Sequence, residues 1–247
     1  MRKDFRADLH VHTVLSPCAE LEMIPPLIVQ EALDRGIQII AITDHNATAN
    51  IQAVQQAAQG TDLIILPGME LQTREEVHVL CLFDTLEQAY ALQAEVDRLL
   101  PPLANDPDHF GMQLVVDATG EFLRQEERLL LTSADLSLDE AFSIVQNLGG
   151  LFIPAHINRK AYGLIEVLGL LPDNLPIEAL EISRHIKPAE VPLRFPQVKG
   201  LPLIQNGDVH RVDEFLGVTQ LHIGEVTVSE FRLAIHAQAG RSLAVLS

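Results

Sequence analysis

"IQIIAITDH", Ile37–His45, is an apolar run that stops on a polar triplet. A short run of this kind, rich in β-branched residues, reads as a strand buried on both faces. The stretch before it, "IPPLIVQEALDRG" (Ile24–Gly36), has prolines suited to a first helical turn, apolar residues at helical spacing, and Gly36 to cap its end. The stretch after it, "NATANIQAVQQAAQG", reads as a second helix capped at Asn46, and "DLIILPGMEL" as the next strand. Strand and helix therefore alternate, which predicts an α/β sheet or barrel.

The rhythm breaks at "QTREE", Gln72–Glu76. So few residues cannot hold the crossover of a parallel pair, so "VHVLCLF" is expected to return antiparallel to the strand before it. A helix "LEQAYALQAEVDRLL" follows. Then come the Pro/Asp-rich "PPLANDPDHFG" and a hairpin, "MQLVVDATGEFLRQE", turning around Ala118–Glu121, so that residues 101–136 read as an excursion from the main fold. Alternation resumes with helix "SLDEAFSIVQNLGG", strand "LFIPAH", helix "YGLIEVLGLL", and strands "IEALEIS" and "LPLIQNGDVH". A closing strand and helix lie in "TQLHIGEVTVSEFRLAIHAQAG". With 247 residues and 47% apolar content, one domain spanning 1–247 is expected.

Seventeen basic residues stand against 34 acidic ones, a net charge of −17. A surface of that sign repels phosphate backbones, so no long nucleic acid is expected as a partner, whereas a small anionic substrate held by a local positive cluster is allowed. The two cysteines, Cys18 and Cys81, make no disulfide framework. The start "MRKDFRADLH" does not resemble a signal peptide, and no stretch has membrane length, so the expected location is the cytoplasm.

Polar residues recur where strands end. In "RADLHVHTVLSPC", Arg6–Cys18, the i, i+2, i+4 spacing predicts Asp8, His10 and His12 on one face of the first strand, with Ala7, Leu9 and Val11 on the other. Asp44 and His45, Glu70, His156, and Asp208 with His210 follow other strands. His78 begins an antiparallel strand, so it reaches the same end as Glu70. Six of the ten histidines thus gather at one end of the barrel, where the loops of such folds carry chemistry. Packed imidazoles and carboxylates are costly to desolvate unless divalent ions neutralise them, and this ligand set suits zinc, iron or manganese.

The ordered motifs "DLHVHT", "TDHN", "PGMEL", "EEVHVL", "PAH" and "GDVH" resemble those of the PHP (polymerase and histidinol phosphatase) family of metal-dependent phosphoesterases. The resemblance implies a distorted TIM-like (β/α)7 barrel and a di- or trinuclear centre. It places His10, His12, Glu70 and Asp208 on one ion, Glu70, His78 and His156 on a second with Glu70 bridging, and His45 and His210 on a third. Asp8 and Asp44 would then orient neighbouring imidazoles. The third ion takes a further ligand from the loop after H-x-H, and "SPCAELE" departs from the family's common "SDG"; it offers Cys18, Glu20 or Glu22. Glu20 is favoured, as a hard carboxylate suited to a site with two imidazoles.

The implied activity is hydrolysis of a small phosphorylated metabolite or nucleotide by metal-activated hydroxide. A protonated His210 or His185 is a candidate to assist the leaving oxygen. Arg159, Lys160, Arg184 and Arg211, each just beyond a strand end, are candidates to bind substrate phosphate. Two other readings of the same ligands are amidohydrolase-like cleavage of a C–N bond and a non-catalytic metal-binding module.

Overall fold

The computed structural model describes residues 1–246. Its first third runs β1 (Lys3–Val11), α1 (Pro25–Asp34), β2 (Ile39–Ile42), α2 (Ile51–Ala57), β3 (Ile64–Gln72), β4 (His78–Leu82) and α3 (Leu86–Leu99). The middle holds α4 (Pro107–Phe110), β5 (Leu114–Val116), β6 (Phe122–Gln125), α5 (Leu138–Asn147) and β7 (Leu151–Pro154). The last part runs α6 (Leu164–Leu168), β8 (Leu180–Ile182), α7 (Val191–Arg194), β9 (Leu203–Gln205), β10 (Thr219–Ile223), α8 (Val228–Ile235) and β11 (Ser242–Val245).

Seven strands, β1, β2, β3, β4, β7, β8 and β9, form the ring of a distorted barrel. β1, β2 and β3 are parallel, while β4 lies antiparallel between β3 and β7, as the short "QTREE" connection requires. β8 and β9 form a separate parallel pair. The Ile157 amide donates to the Glu181 carbonyl (2.9 Å), tying the chain after β7 to β8. On the other side, His12 donates to the Val209 carbonyl (2.9 Å) and Val209 to that of His10 (3.0 Å), which joins the segment after β9 to the end of β1. The first half of β1 pairs instead with β10, and β11 adds to β10 outside the ring.

Apolar residues sort into two clusters. Ala7, Leu9, Ile39, Leu66, Leu80 and Ile153 fill the barrel interior, with Phe231 of α8 packed among them. Ile40, Ile42, Met69 and Phe152 pack outward against residues of α1, α2, α3 and α5. Two of these outer helices are fixed at their starts by capping boxes, Thr85 with Gln88 on α3 and Ser137 with Glu140 on α5.

β1 does not keep a single alternation. Asp8 pairs with Ile40 and Val11 with Ile42, so three steps of β1 oppose two of β2, and a bulge lies between them. Leu9 belongs to the interior cluster, but Val11 belongs to the outer one. Asp8 therefore points away from the interior while His10 and His12 are turned into it, which corrects the expectation that all three share a face. Bulges re-aim side chains in this way beside functional sites.

Two further local differences have clear causes. α2 begins at Ile51 with Asn50 at its N-cap, because Asn46 is left-handed (φ 50°) and its side-chain amide donates to the carbonyls of Leu130 and Thr132, both at 2.8 Å. β11 is a four-residue strand that the sequence did not announce. The excursion forms as expected, with the β5–β6 hairpin antiparallel. Gly111 in it is left-handed (φ 103°) and lies so close to Pro17 that a Cβ would sit 2.1 Å from the Pro17 carbonyl oxygen, so the excursion presses on the loop after β1.

Candidate metal centre

Glu70, on β3 and fully buried, is the hub of the polar end of the barrel. Its Oε1 lies 2.8 Å from His78 Nδ1, 3.0 Å from His156 Nε2 and 3.3 Å from His10 Nε2. Its Oε2 lies 2.9 Å from His45 Nδ1 and 3.3 Å from His12 Nε2. Asp208 adds a second carboxylate, 3.3 Å from His10 and 3.6 Å from His12. His210 stacks on His12 with ring centroids 4.0 Å apart. Three residues that follow strand ends here, Asn46, His156 and Asp208, are left-handed without being glycine, a strained conformation typical of functional sites.

The second nitrogen of each key imidazole is held by the protein. His10 Nδ1 donates to Glu181, whose oxygens lie 3.1 and 3.0 Å away. His12 Nδ1 donates to Ser16 Oγ (2.9 Å), which itself donates to Asp44 (2.7 Å). His210 Nδ1 donates to the Asp208 carbonyl (3.0 Å). Each of these bonds fixes a tautomer that leaves Nε2 with its lone pair facing the cluster.

Among the described residues, six buried side-chain polar atoms have no hydrogen-bond partner, and five of them are here: His10 Nε2, His12 Nε2, His45 Nδ1, Glu70 Oε2 and His156 Nδ1. Leaving one such atom unpaired costs on the order of 1–3 kcal/mol, so the gathering of four imidazole nitrogens and one carboxylate oxygen in a single cluster fits a site built for cations. Three sets have ligand atoms near enough to share an ion: His10, His12, Glu70 and Asp208; His45, Glu70 and His78; and His12, His45 and His210. The first matches the set implied by the sequence. Glu70 and His78 are grouped with His45, while His156, expected with them, meets the same Glu70 Oε1 as His78 but belongs to none of the three sets.

The electrostatics show how crowded the cluster is. Burial pushes the His10 imidazole down, but Glu181, Glu70 and Asp208 together hold it well above its ordinary value. His45 is likewise disfavoured by burial, yet Glu70 raises it to about 9. Burial dominates at His78, which falls to about 4. At His210 burial and the neighbouring His12 lower it to about 2. That direction favours the neutral imidazole, which suits a ligand and runs against its expected part as a protonated acid.

Asp8 and Asp44 do not orient imidazoles directly. Asp8 accepts from the backbone N–H groups of Gly207 (2.9 Å), Leu216 (2.8 Å) and Gly217 (3.2 Å), so it anchors the chain that carries Asp208. Burial pushes its carboxyl up to about 6 against those three donors. Asp44 takes Thr13 N (2.7 Å) and Thr13 Oγ1 (2.8 Å) and acts on His12 only through Ser16. The direct orienting carboxylate is Glu181 on β8, which also accepts from His156 N (2.8 Å) and Asn206 Nδ2 (2.7 Å). Its signal in the sequence was a lone charge inside "ALEI", flanked by Leu180 and Ile182, both fully buried.

Glu20 is also displaced from its expected place. Its Oε1 pairs with Arg211 Nε at 2.9 Å and the side chain is half exposed, so it is not among the clustered ligands. Glu22 is exposed. Cys18 instead lines the cavity of about 620 Å³ that opens over the cluster, together with Arg159, Tyr162, Arg184, His185 and Arg211. Lys160 is exposed and outside that lining. Arg159 Nη1 donates to Asp208 Oδ2 (2.5 Å), and Arg184 donates to the carbonyls of Gly207 and Asp208. The Tyr162 ring lies parallel on His78, centroids 4.3 Å apart.

An α/β barrel with imidazoles and carboxylates gathered at one mouth is a scaffold with side-chain groups able to hold metal ions. The PHP domain model matches residues 8–152, well over half of the chain, and the protein belongs to the PHP domain family. YqxK, an uncharacterised protein of Bacillus subtilis (strain 168), is 24% identical over 260 residues, 98% of this chain and 64% of that protein. The 5'-3' exoribonuclease Rnm of Salmonella typhimurium is 34% identical over 80 residues, 30% of this chain and 26% of the enzyme. Among solved structures, the lesion-specific endonuclease PfuEndoQ of Pyrococcus furiosus shares the fold with a TM-score of 0.71 at 18% identity, over 98% of this chain and 58% of that one. The chain thus spans less than two thirds of these relatives.

The expectation that no long nucleic acid is a partner does not stand. Endonuclease Q, with the same fold (TM-score 0.67), has been solved with a 27-mer duplex carrying an abasic lesion at the active site, and Rnm is an exoribonuclease. The error was to treat −17 as a property of the mouth. Net charge describes the whole surface and not the cavity, where three arginines meet Glu70, Asp208 and Glu214. Among the described residues no helix is long and apolar enough to cross a membrane.

Proposed function

We propose that the protein is a metal-dependent phosphoesterase acting on a phosphoester of a nucleotide, free or within a nucleic acid. The observation that carries this is the convergence of five imidazoles on Glu70, with the facing nitrogens of His10, His12 and His45 buried and unpartnered. His10, His12, Glu70 and Asp208 would hold one ion, and Glu70 with His78, His45 and His156 a second. The ions are drawn from zinc, iron or manganese. When bound, such ions lower the pKa of water and offset charge on phosphoryl oxygens.

The chain's own groups supply the rest. Glu181, Ser16 and the Asp208 carbonyl keep His10, His12 and His210 in the ligating tautomer. Arg159, beside Asp208 and facing the cavity, donates to a phosphoryl oxygen. Arg184 holds the loop that presents Asp208. His185, exposed on the rim, is the imidazole placed to give a proton to the leaving oxygen. A cavity of about 620 Å³ admits a nucleotide, and the partly exposed Tyr162 ring at its wall offers a face to a base.

The test is metal analysis of the purified protein combined with a panel of phosphomonoesters, a phosphodiester, single-stranded oligonucleotides, a duplex with an abasic site, and simple amides. Phosphoester cleavage that a chelator abolishes and a divalent ion restores is the expected result. Cleavage of amides alone would instead make the protein a C–N hydrolase. Metal uptake with no hydrolysis would make it a binding module.

A further inference from the structure

We propose that Gln72 is a positioning residue of the metal centre: its side-chain oxygen holds His78 by Nε2, which turns Nδ1 toward Glu70, and its own orientation is set by Ser133 of the excursion. This rests on the metal-centre reading above and adds to it a residue that holds a ligand without being one. Among the described residues, His78 alone of the clustered imidazoles has a hydrogen-bond partner at each ring nitrogen. Nδ1 lies 2.8 Å from Glu70 Oε1, and Nε2 lies 3.3 Å from Gln72 Oε1. His10, His12 and His210 are held at Nδ1 and face the cluster through Nε2. His78 is the reverse, and the difference comes from what holds it. An imidazole that ligates through one nitrogen donates the N–H of the other to a fixed acceptor, and Gln72 Oε1 is the acceptor in reach of His78 Nε2.

The second observation is how firmly Gln72 is itself held. It ends β3 and stands directly opposite His78 in the antiparallel ladder, so the two side chains share a face of the sheet. Its N–H donates to Asn46 Oδ1 (3.0 Å), and its carbonyl accepts from Ala134 N (2.9 Å). The side chain is buried, and its Nε2 donates to Ser133 Oγ (3.0 Å). An amide that gives its NH2 to a hydroxyl presents its oxygen on the other side, so Ser133 decides that His78 meets an acceptor and not a second donor. Ser133 and Ala134 belong to the 101–136 excursion. Its Leu130 and Thr132 carbonyls take the Asn46 side chain, both at 2.8 Å, and its Leu136 carbonyl takes the Arg74 amide (2.9 Å). The excursion is thereby bonded along the end of β3, and Ser133 is where it bears on a ligand. Tyr162 completes the clamp from above. Its ring lies parallel on His78 and its carbonyl accepts from His78 N (3.0 Å), which fixes the plane of the imidazole and leaves Gln72 to fix which nitrogen faces Glu70.

Zinc titration of the metal-free protein against a chromogenic chelator tests this independently of activity. Gln72→Met removes the acceptor and keeps the bulk, so it should hold one ion about 10- to 100-fold more weakly and leave the rest of the metal content unchanged. Gln72→Glu keeps an oxygen for His78, and the Ser133 hydroxyl can turn to donate to it, so this variant should bind like the wild type. Ser133→Ala should weaken the same ion by less. Nitrogen-edited NMR of the zinc-loaded wild type should show the His78 Nε2–H as a slowly exchanging proton, kept in Gln72→Glu and lost in Gln72→Met. Wild-type affinity in Gln72→Met overturns the assignment, and so does equal weakening by Met and Glu, since a side chain that only packs gains nothing from its oxygen. If Gln72→Met does not fold, Ser133→Ala decides by the same two measurements, and wild-type affinity with an unchanged His78 signal overturns the proposal. A His78→Ala variant with full metal content takes His78 out of the centre, and the reading on which this rests fails with it.

Discussion

Asp8 and His10 stand two residues apart on β1, both fully buried, and they have opposite surroundings. Asp8 has every oxygen engaged by backbone N–H groups from the chain after β9, whereas His10 presents a bare Nε2 to two carboxylates that do not hydrogen-bond to it. Satisfied polar groups in a barrel wall are stability devices; unsatisfied ones facing each other mark the place where something else binds. The bulge between Asp8 and Val11 separates the two roles within one strand.

The largest expected effect lies on the unsatisfied side. Glu70→Gln removes the charge that five imidazoles share, and metal uptake should be lost with kcat/KM falling about a thousandfold or more, about 4 kcal/mol in the transition state. Retention of activity within tenfold would break the contrast. On the satisfied side, Asp8→Ala orphans three backbone donors, and denaturant unfolding of the metal-free protein should show a loss of about 3 kcal/mol. A loss below about 1 kcal/mol would mean that water replaces the carboxylate and that the site is less closed than its burial indicates.

Glu181 joins the two sides, since it is well bonded itself and sets the tautomer of His10. Glu181→Gln should weaken metal binding by about 10- to 100-fold in a chelator competition, with the fold retained. The pH dependence sharpens the same point. His45 is raised to about 9 in the metal-free protein, so below that pH it carries a proton that an ion must displace. Affinity at that position is therefore expected to fall by about tenfold, or about 1.4 kcal/mol, for each pH unit below 9, and calorimetry in buffers of different ionisation enthalpy should register proton release at pH 7.5. The smallest effect belongs to the rim. Arg159→Ala should leave metal content unchanged and lower kcat/KM about tenfold, the loss of one charge-assisted contact.

Much of this arrangement could be read from residue order. The alternation around Ile37–His45, the reversal forced by Gln72–Glu76, and the histidines at strand ends all follow from local periodicity and chain length. What escaped depends on register or on distant partners. A single extra residue in β1 reversed the direction of Asp8, and nothing in "RADLHVH" marks where a bulge falls. Glu181 is visible as a charge in an apolar strand, but its partner His10 is 171 residues away. Glu20 was favoured for its chemistry alone, and its pairing with Arg211 is a contact between loops. The net charge misled because it averages over the whole surface and carries no information on the groups at the mouth.

The join between Val11 and Val209 bears on folding as well as on architecture. The ring closes there, where β1 meets the segment after β9, and His10 and His12 lie on one side of the join with Asp208 and His210 on the other. An ion shared across it links positions about two hundred residues apart along the chain, a closure whose entropic cost is met only once the intervening strands are in order. Barrel closure is therefore expected late in folding, and metal uptake would reinforce it. In the metal-free protein the His12 and Val209 amides should exchange with deuterium well before those of β2 and β3, so the same ions that would serve hydrolysis set how tightly the barrel stays shut.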